Sequence, residues 1–265
     1  CYSNLKQMAL ATNSYSADYQ DRMFSFTWTS GSWNGVDTAD PDAVGLLPTI
    51  PGDDVNAGAH QAVYIMRKRG DRSGSAQMPV INGWIPHVLY THLVLQDYLA
   101  ARIPEKMVVC PDDLWRNRWQ DWRAFESGQF APMQPYPGTG LNARWPYSSS
   151  YQVPPCTYDK SPVGGRISQD GLPTNLYAFY GAATKLGGRK LADVSNPSSK
   201  VLLHDEIDRH CGLKEMYYSN INARNTIAFF DGSASVKKTN AANQGMVPNA
   251  PNGTTATQML YDPAT

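Results

Sequence analysis

The sequence predicts an α+β fold in which an N-terminal helix packs on an antiparallel β-sheet that carries long loop insertions. Three observations lead there. Cys1, Leu5, Met8, Thr12, Tyr15 and Tyr19 form one continuous stripe at helical spacing. Residues 226–230, then Asp231-Gly232, then 233–236, read as a β-hairpin, because Asp-Gly supplies the positive φ angles of a two-residue turn. Between these elements Gly and Pro recur 21 and 19 times in 265 residues, which assigns much of the chain to loops.

The N-terminal helix is expected over residues 1–20. Asn4, Lys6, Gln7, Ser14 and Asp18 mark its wet side, while Ala9, Leu10 and Ala11 extend its apolar surface beyond one face. Such a helix suits contact with a sheet on one side and a neighbouring subunit on the other. Residues 25–60 read as loop, 62–66 as a short undecided segment and 70–75 as turn. Pro86 opens a helix over 88–101 that Pro104 ends. A short strand is expected over 107–110, stopped by Pro111. Asp112-Asp113 suits the start of a helix on which Trp115, Trp119 and Trp122 share one face. Residues 130–165 read as irregular, 201–203 as the clearest strand, and the stretch from Thr239 as a polar surface tail.

Charge and composition exclude several classes. Lys and Arg total 23 and Asp and Glu total 23, so the net charge is zero, unlike that of a general nucleic-acid binder or a polybasic membrane-surface protein. Charged residues are only 17%, below the usual share of about 25%. With 15 Tyr and 7 Trp, the balance suits an extracellular or assembled protein. The sequence holds no run of about 18 apolar residues. It opens at Cys1 in what reads as the middle of a helix, so a segment upstream is expected; a lipid-modified N-terminal Cys is the alternative.

The four cysteines, Cys1, Cys110, Cys156 and Cys211, are too far apart for a CxxC zinc pattern. Two disulfides or four buried thiols both fit. A bridge between Cys156 and Cys211 is favoured, because both lie in irregular segments beside expected strands; Cys1 then pairs with Cys110 or stays free.

Candidate chemistry is sparse. His204, Glu206, Asp208 and His210 would share one face of a strand and could take a divalent metal, but the segment reads equally as the solvated exit of the 201–203 strand. Trp115, Trp119 and Trp122 offer either an aromatic platform for sugars or bases, beside Arg116 and Arg118, or a packing ridge. No nucleophile elbow, P-loop or dinucleotide fingerprint occurs. The pairs Asp53-Asp54 and Asp112-Asp113 read as loop or cap acids, and Asn252-Gly253-Thr254 as a glycosylation sequon that arises often by chance. No Asp/Asn-rich loop has calcium-binding spacing.

Four blocks, in order, resemble one family. Cys1-Tyr2-Ser3-Asn4-Leu5-Lys6-Gln7 with Leu10-Ala11, Tyr15 and Asp18 is the first. Trp84 followed by Val108-Val109-Cys110-Pro111-Asp112-Asp113 is the second. Asn196-Pro197-Ser198-Ser199-Lys200-Val201-Leu202-Leu203 with Asp205-Glu206 is the third, and residues 227–236 around Asp231-Gly232 are the fourth. Together they resemble bacterial type IV pilin and pseudopilin relatives with a prepilin-type N-terminal cleavage/methylation segment and a C-terminal His-x9-Asp-Gly motif. One departure is clear: the position of the motif histidine holds Ile221. The resemblance implies a pilin-like fold. Residues 1–20 would be the C-terminal half of the spine helix, 21–238 the globular sheet domain with insertions and 239–265 a surface tail, all one domain.

It further implies a structural subunit of an extracellular filament or secretion pseudopilus, not an enzyme, with no catalytic, cofactor or metal residues assigned. Its partners would be copies of itself in a helical filament and other pilins or secretion-system components. The inner membrane would hold it before assembly, through a helix upstream of Cys1, and nucleic acid would not be a partner. The alternatives are an exported carbohydrate- or ligand-binding module using Trp115, Trp119 and Trp122, and a metal-dependent hydrolase using His204, Glu206 and His210.

Overall fold

The computed structural model describes residues 1–47, 54–82, 84–99, 102–131, 140–160, 165–169, 177–180, 186–210, 215–218, 220–241, 246–247 and 257–261. Its helices are α1 (Tyr2–Asp18), α2 (Asp54–Arg69), α3 (Leu114–Trp119) and α4 (Trp122–Glu126). The strands are β1 (Tyr151–Gln152), β2 (Gly165–Gln169), β3 (Tyr177–Tyr180), β4 (Val201–Asp205), β5 (Ile207–Asp208), β6 (Met216–Tyr217), β7 (Arg224–Phe229), β8 (Ala234–Lys238), β9 (Met246–Val247) and β10 (Thr257–Tyr261). Mixed helix and antiparallel sheet make this an α+β fold. Among the described residues no helix is long and apolar enough to cross a membrane.

The principal sheet has the order β1-β4-β7-β8, antiparallel throughout. α1 lies across β4, β7 and β8. The periodicity explains the docking: Leu5, Met8, Ala9 and Tyr15 are buried and share a core with Leu202, Leu203, Ala228 and Phe230. Burying one such side chain stabilises by roughly 1.5–3 kcal/mol. Tyr19, expected in the stripe, is half exposed beyond the helix end and stacks on Tyr15 at 4.4 Å between ring centroids. The helix stops because Gln20 takes a left-handed φ of 56° and Asp21 N–H donates back to the Ser16 carbonyl at 2.8 Å.

The hairpin forms where expected, with a different turn. Ala228 pairs with Ala234 and Thr226 with Val236, which leaves three residues, 230–232, in the loop. Gly232 N–H donates to the Phe229 carbonyl at 3.0 Å, and Phe229 N–H to the Ser233 carbonyl at 2.8 Å. Gly232 has φ 81° while Asp231 does not have positive φ. The loop is therefore a type I turn closed by a left-handed glycine, one residue longer than the two-residue turn that Asp-Gly suggests. Asp231 Oδ1 accepts from Ser233 N–H at 2.8 Å and holds that turn. Ala228 and Phe230 face α1; Ile227 and Phe229 are half-buried on the other side.

A second core is built from residues between Phe26 and Tyr147. The stretch expected as loop to residue 60 contains the start of α2, and the undecided 62–66 segment is its continuation. Ala59, Ala62, Val63 and Met66 are buried with Phe26, Trp28, Leu46, Trp84 and Trp145. The 88–101 helix is instead a 3-10 helix, Thr91–Tyr98. The Leu89 and Val88 carbonyls accept from Ser149 and Val153 N–H groups, so the α-helical ladder loses its acceptors. In place of a strand over 107–110 there is a 3-10 turn, Lys106–Val108. The Val108 carbonyl is taken by Ser150 N–H and Ser149 Oγ, and the Val109 carbonyl by Asn4 Nδ2, which are isolated bonds and not a ladder.

The segment expected as a surface tail contributes β9 and β10 to a second antiparallel sheet, β3-β2-β10-β9. No alternating apolar run announces those strands. The Asn252 sequon and Cys211 lie outside the described residues, and so does the expected Cys156–Cys211 pairing.

Candidate functional site

The densest chemistry lies where Cys110-Pro111-Asp112-Asp113 meets Arg209-His210. Asp113 caps α3, its Oδ1 accepting from Arg116 N–H at 3.1 Å. Its Oδ2 takes Arg116 Nη1, Arg209 Nη2 and Ser150 Oγ, each at 2.8 Å. Arg116 continues to Glu206 Oε2 at 2.6 Å and to Ser148 Oγ at 3.0 Å. All these charged groups are buried, and two cations face two carboxylates. Burial raises the Asp113 carboxyl, but Arg116, Arg209 and the hydrogen bonds more than offset it and hold the group below the usual carboxylate range. Burial likewise opposes the charge on Arg116; Glu206 and Asp113 outweigh it and keep the guanidinium charged.

One residue before Asp113 and one after Arg209, an acid–base pairing repeats at the surface. His210 Nδ1 is 2.7 Å from Asp112 Oδ2. Its Nε2 is 2.8 Å from Cys1 Sγ and 3.1 Å from Cys110 Sγ. Cys1 and Cys110 are joined as a disulfide with Cα atoms 5.1 Å apart. Asn4, one helical turn along α1, fixes this end of the helix to the same loop through its bond to the Val109 carbonyl at 3.1 Å.

The strand-face metal set is not brought together. β4 ends at Asp205, and Glu206 N–H bonds to the Ser150 carbonyl, so the backbone bends before β5. His204 is buried, its Nδ1 2.9 Å from the Asp205 carbonyl and its ring against Tyr218; burial pushes its pKa down to about 4. Glu206 faces Arg116, and Asp208 Oδ2 accepts from Arg224 N–H at 2.9 Å. Burial raises the neighbouring Asp205 carboxyl, only partly opposed by its bonds from Thr226. Among the described residues, His210 alone of this set enters a cluster of metal-ligating atoms, and its companions are Cys1 and Cys110, all within 4.8 Å of one another.

The tryptophans do not share one helical face. Asp121 caps a new helix, its Oδ1 accepting from Ala124 N–H, so α3 ends before Trp122. Trp122 is buried between the guanidinium carbons of Arg72 and Arg123, at 4.2 and 4.4 Å from its ring centroid. Trp119 packs edge-on against Phe125 and Trp145. Trp115 is half-buried under Arg118. This is a packing ridge. The Cys1–Cys110 bridge is one of the two outcomes the sequence leaves open for Cys1; what the sequence does not signal is His210 beside it, 100 residues or so from Cys110, with no local spacing to mark the cluster.

Comparison with known proteins adds no relative: no family model matches the chain, and neither a curated protein nor a solved structure does.

Proposed function

We propose that this chain is a structural subunit of an extracellular pilus-like filament or of a secretion pseudopilus. Copies of itself, with other pilins or secretion-system components, are its partners. The observation that carries the reading is α1. One stripe of the helix is sealed onto the sheet, and the opposite face is open, with Leu10 66% exposed beside Lys6, Gln7, Asn13 and Ser14. The resemblance of the segment from Cys1 to Gln7 to a prepilin spine supports the same assignment. In this reading the open face of α1 meets neighbouring copies, and an upstream apolar segment anchors the subunit in the inner membrane before assembly. A helical assembly then needs two different complementary surfaces on each subunit.

Immunogold electron microscopy of filaments sheared from cells that make the chain tests this directly. Label along the filaments is the expected result, and filaments that exclude the label overturn it. Leu10→Asp, on an exposed position, is expected to leave the melting temperature unchanged and to abolish labelled filaments. The ligand-binding alternative needs an open aromatic platform, whereas Trp119 and Trp122 are engaged in packing.

A further inference from the structure

We propose that Cys1, Cys110 and His210 form a three-ligand site for a zinc-type divalent cation in the reduced protein, with Asp112 orienting the imidazole from behind. The inference is independent of filament assembly.

The argument starts at Asp112. An ionised carboxylate only accepts hydrogen bonds, so its contact with His210 Nδ1 at 2.7 Å places the proton of the neutral imidazole on that nitrogen. Nε2 is left with its lone pair, and that lone pair is directed at two sulfurs at 2.8 and 3.1 Å. A disulfide has no proton to give it. With the imidazole neutral, the arrangement is satisfied when something electropositive sits among the three atoms: a thiol proton when the cysteines are reduced, or a metal ion when they are thiolates. Two thiolates and one imidazole are the ligand chemistry of zinc, and a carboxylate on the far imidazole nitrogen is the usual support of a zinc-bound histidine. The half-exposed His210 and exposed Asp112 give the ion a way in from solvent, and a water can take the fourth position.

The two states are exclusive. Reduction of the Cys1–Cys110 bond takes two electrons and two protons and yields two thiols. A phosphine supplies the electrons and leaves as its oxide, with oxygen from water. The cation then binds two thiolates and the neutral imidazole and releases two protons to solvent. The sulfurs are already on one side of the ring, and their Cα spacing of 5.1 Å lies within the disulfide range, so the loop holding Cys110 needs only to let them part.

The test is a cobalt titration of the whole chain, reduced with a phosphine under anaerobic conditions and followed by zinc competition. One cobalt per chain is expected, with thiolate-to-cobalt charge-transfer absorption and the visible bands of tetrahedral coordination, both abolished by one equivalent of zinc. Cys1→Ser and Cys110→Ser should remove the charge-transfer band or weaken cobalt binding at least tenfold. Cys110 is buried, so its variant can fail to fold; His210→Ala and Asp112→Asn, nearer the surface, keep the test open. His210→Ala should shift the visible bands, and Asp112→Asn should weaken binding by about tenfold. Cys156→Ser and Cys211→Ser should bind cobalt as the unaltered chain does. Absence of thiolate–cobalt absorption in the reduced chain overturns the proposal. So does an absorption that survives loss of His210 and Cys1 but disappears with Cys211.

Discussion

Arg209 Nη2 lies 2.8 Å from Asp113 Oδ2, with both side chains about 95% buried. Arg116 holds the same oxygen at the same distance and also binds Glu206. A buried pair contributes little beyond its desolvation cost, but removing one member leaves an uncompensated charge. Arg116→Met should therefore destabilise the protein by about 3–5 kcal/mol. Arg116→Met combined with Glu206→Leu should be less destabilised than Arg116→Met alone. Urea unfolding of the three proteins reads this out, and equal midpoints for the single and double variants would show that Glu206 does not depend on Arg116.

Leu5 is fully buried between α1 and the sheet. Leu5→Ala should cost about 3 kcal/mol through lost burial and a residual cavity. Leu5→Asp should cost about 4 kcal/mol or more, because it adds an unpaired carboxylate. An unchanged melting temperature for Leu5→Asp would mean that α1 is not docked through this residue.

The turn at residues 230–232 separates charge from conformation. Asp231→Asn keeps an acceptor for Ser233 N–H, so stability should not change. Gly232→Val forces a β-branched residue to φ near 81° and should cost about 1–2 kcal/mol. A Cβ on Gly232 meets nothing closer than Asn13 Nδ2 at 3.9 Å, so the loss is conformational and not steric. Thermal melts compare the two; a larger loss for Asp231→Asn would assign the carboxylate a role beyond the turn.

Acid should weaken the fold through three buried histidines. Burial pushes His87 and His92 down to about 3 and His204 to about 4. All three stay neutral in the folded chain, while in the unfolded chain they take protons near 6.5. Their contribution is complete above pH 6.5 and is lost as pH falls toward 4 and then 3. Each group lowers stability by up to about 1.4 kcal/mol per pH unit in that window. His87→Leu should flatten the slope by about a third, since both ring nitrogens lack a hydrogen-bond partner among the described residues. Denaturant midpoints at pH 7, 6, 5 and 4 give the slope; a flat line would place these histidines in contact with solvent.

What was legible in the sequence followed strong local periodicity. The Leu5–Met8–Thr12–Tyr15 stripe and the Asp-Gly turn each encode their neighbours directly, so α1 and the hairpin were readable. The spacing of Ala59, Ala62, Val63 and Met66 would have revealed α2, but small alanines weigh little in a hydrophobic pattern. Thr91–Tyr98 could not be read as 3-10, because the Ser149 and Val153 amides that take the Leu89 and Val88 carbonyls just ahead of it lie more than fifty residues away. The Trp115–Trp119–Trp122 stripe misled because Asp121, a ready N-cap, breaks the helix before its third member. The Cys1–Cys110–His210 cluster had no local signature, since it is assembled by the docking of α1 onto the sheet.

The cross-link at the start of α1 also determines how the molecule bears load. Tension applied at Cys1 divides at once between the helix and the covalent bond to Cys110. The second route runs directly into the loop pinned by Arg209 and Arg116, behind which lies the principal sheet. α1 therefore cannot be peeled from its leading end while the sulfurs are joined. Stress bypasses its hydrophobic seam and enters the body of the protein as shear across a buried ionic lock.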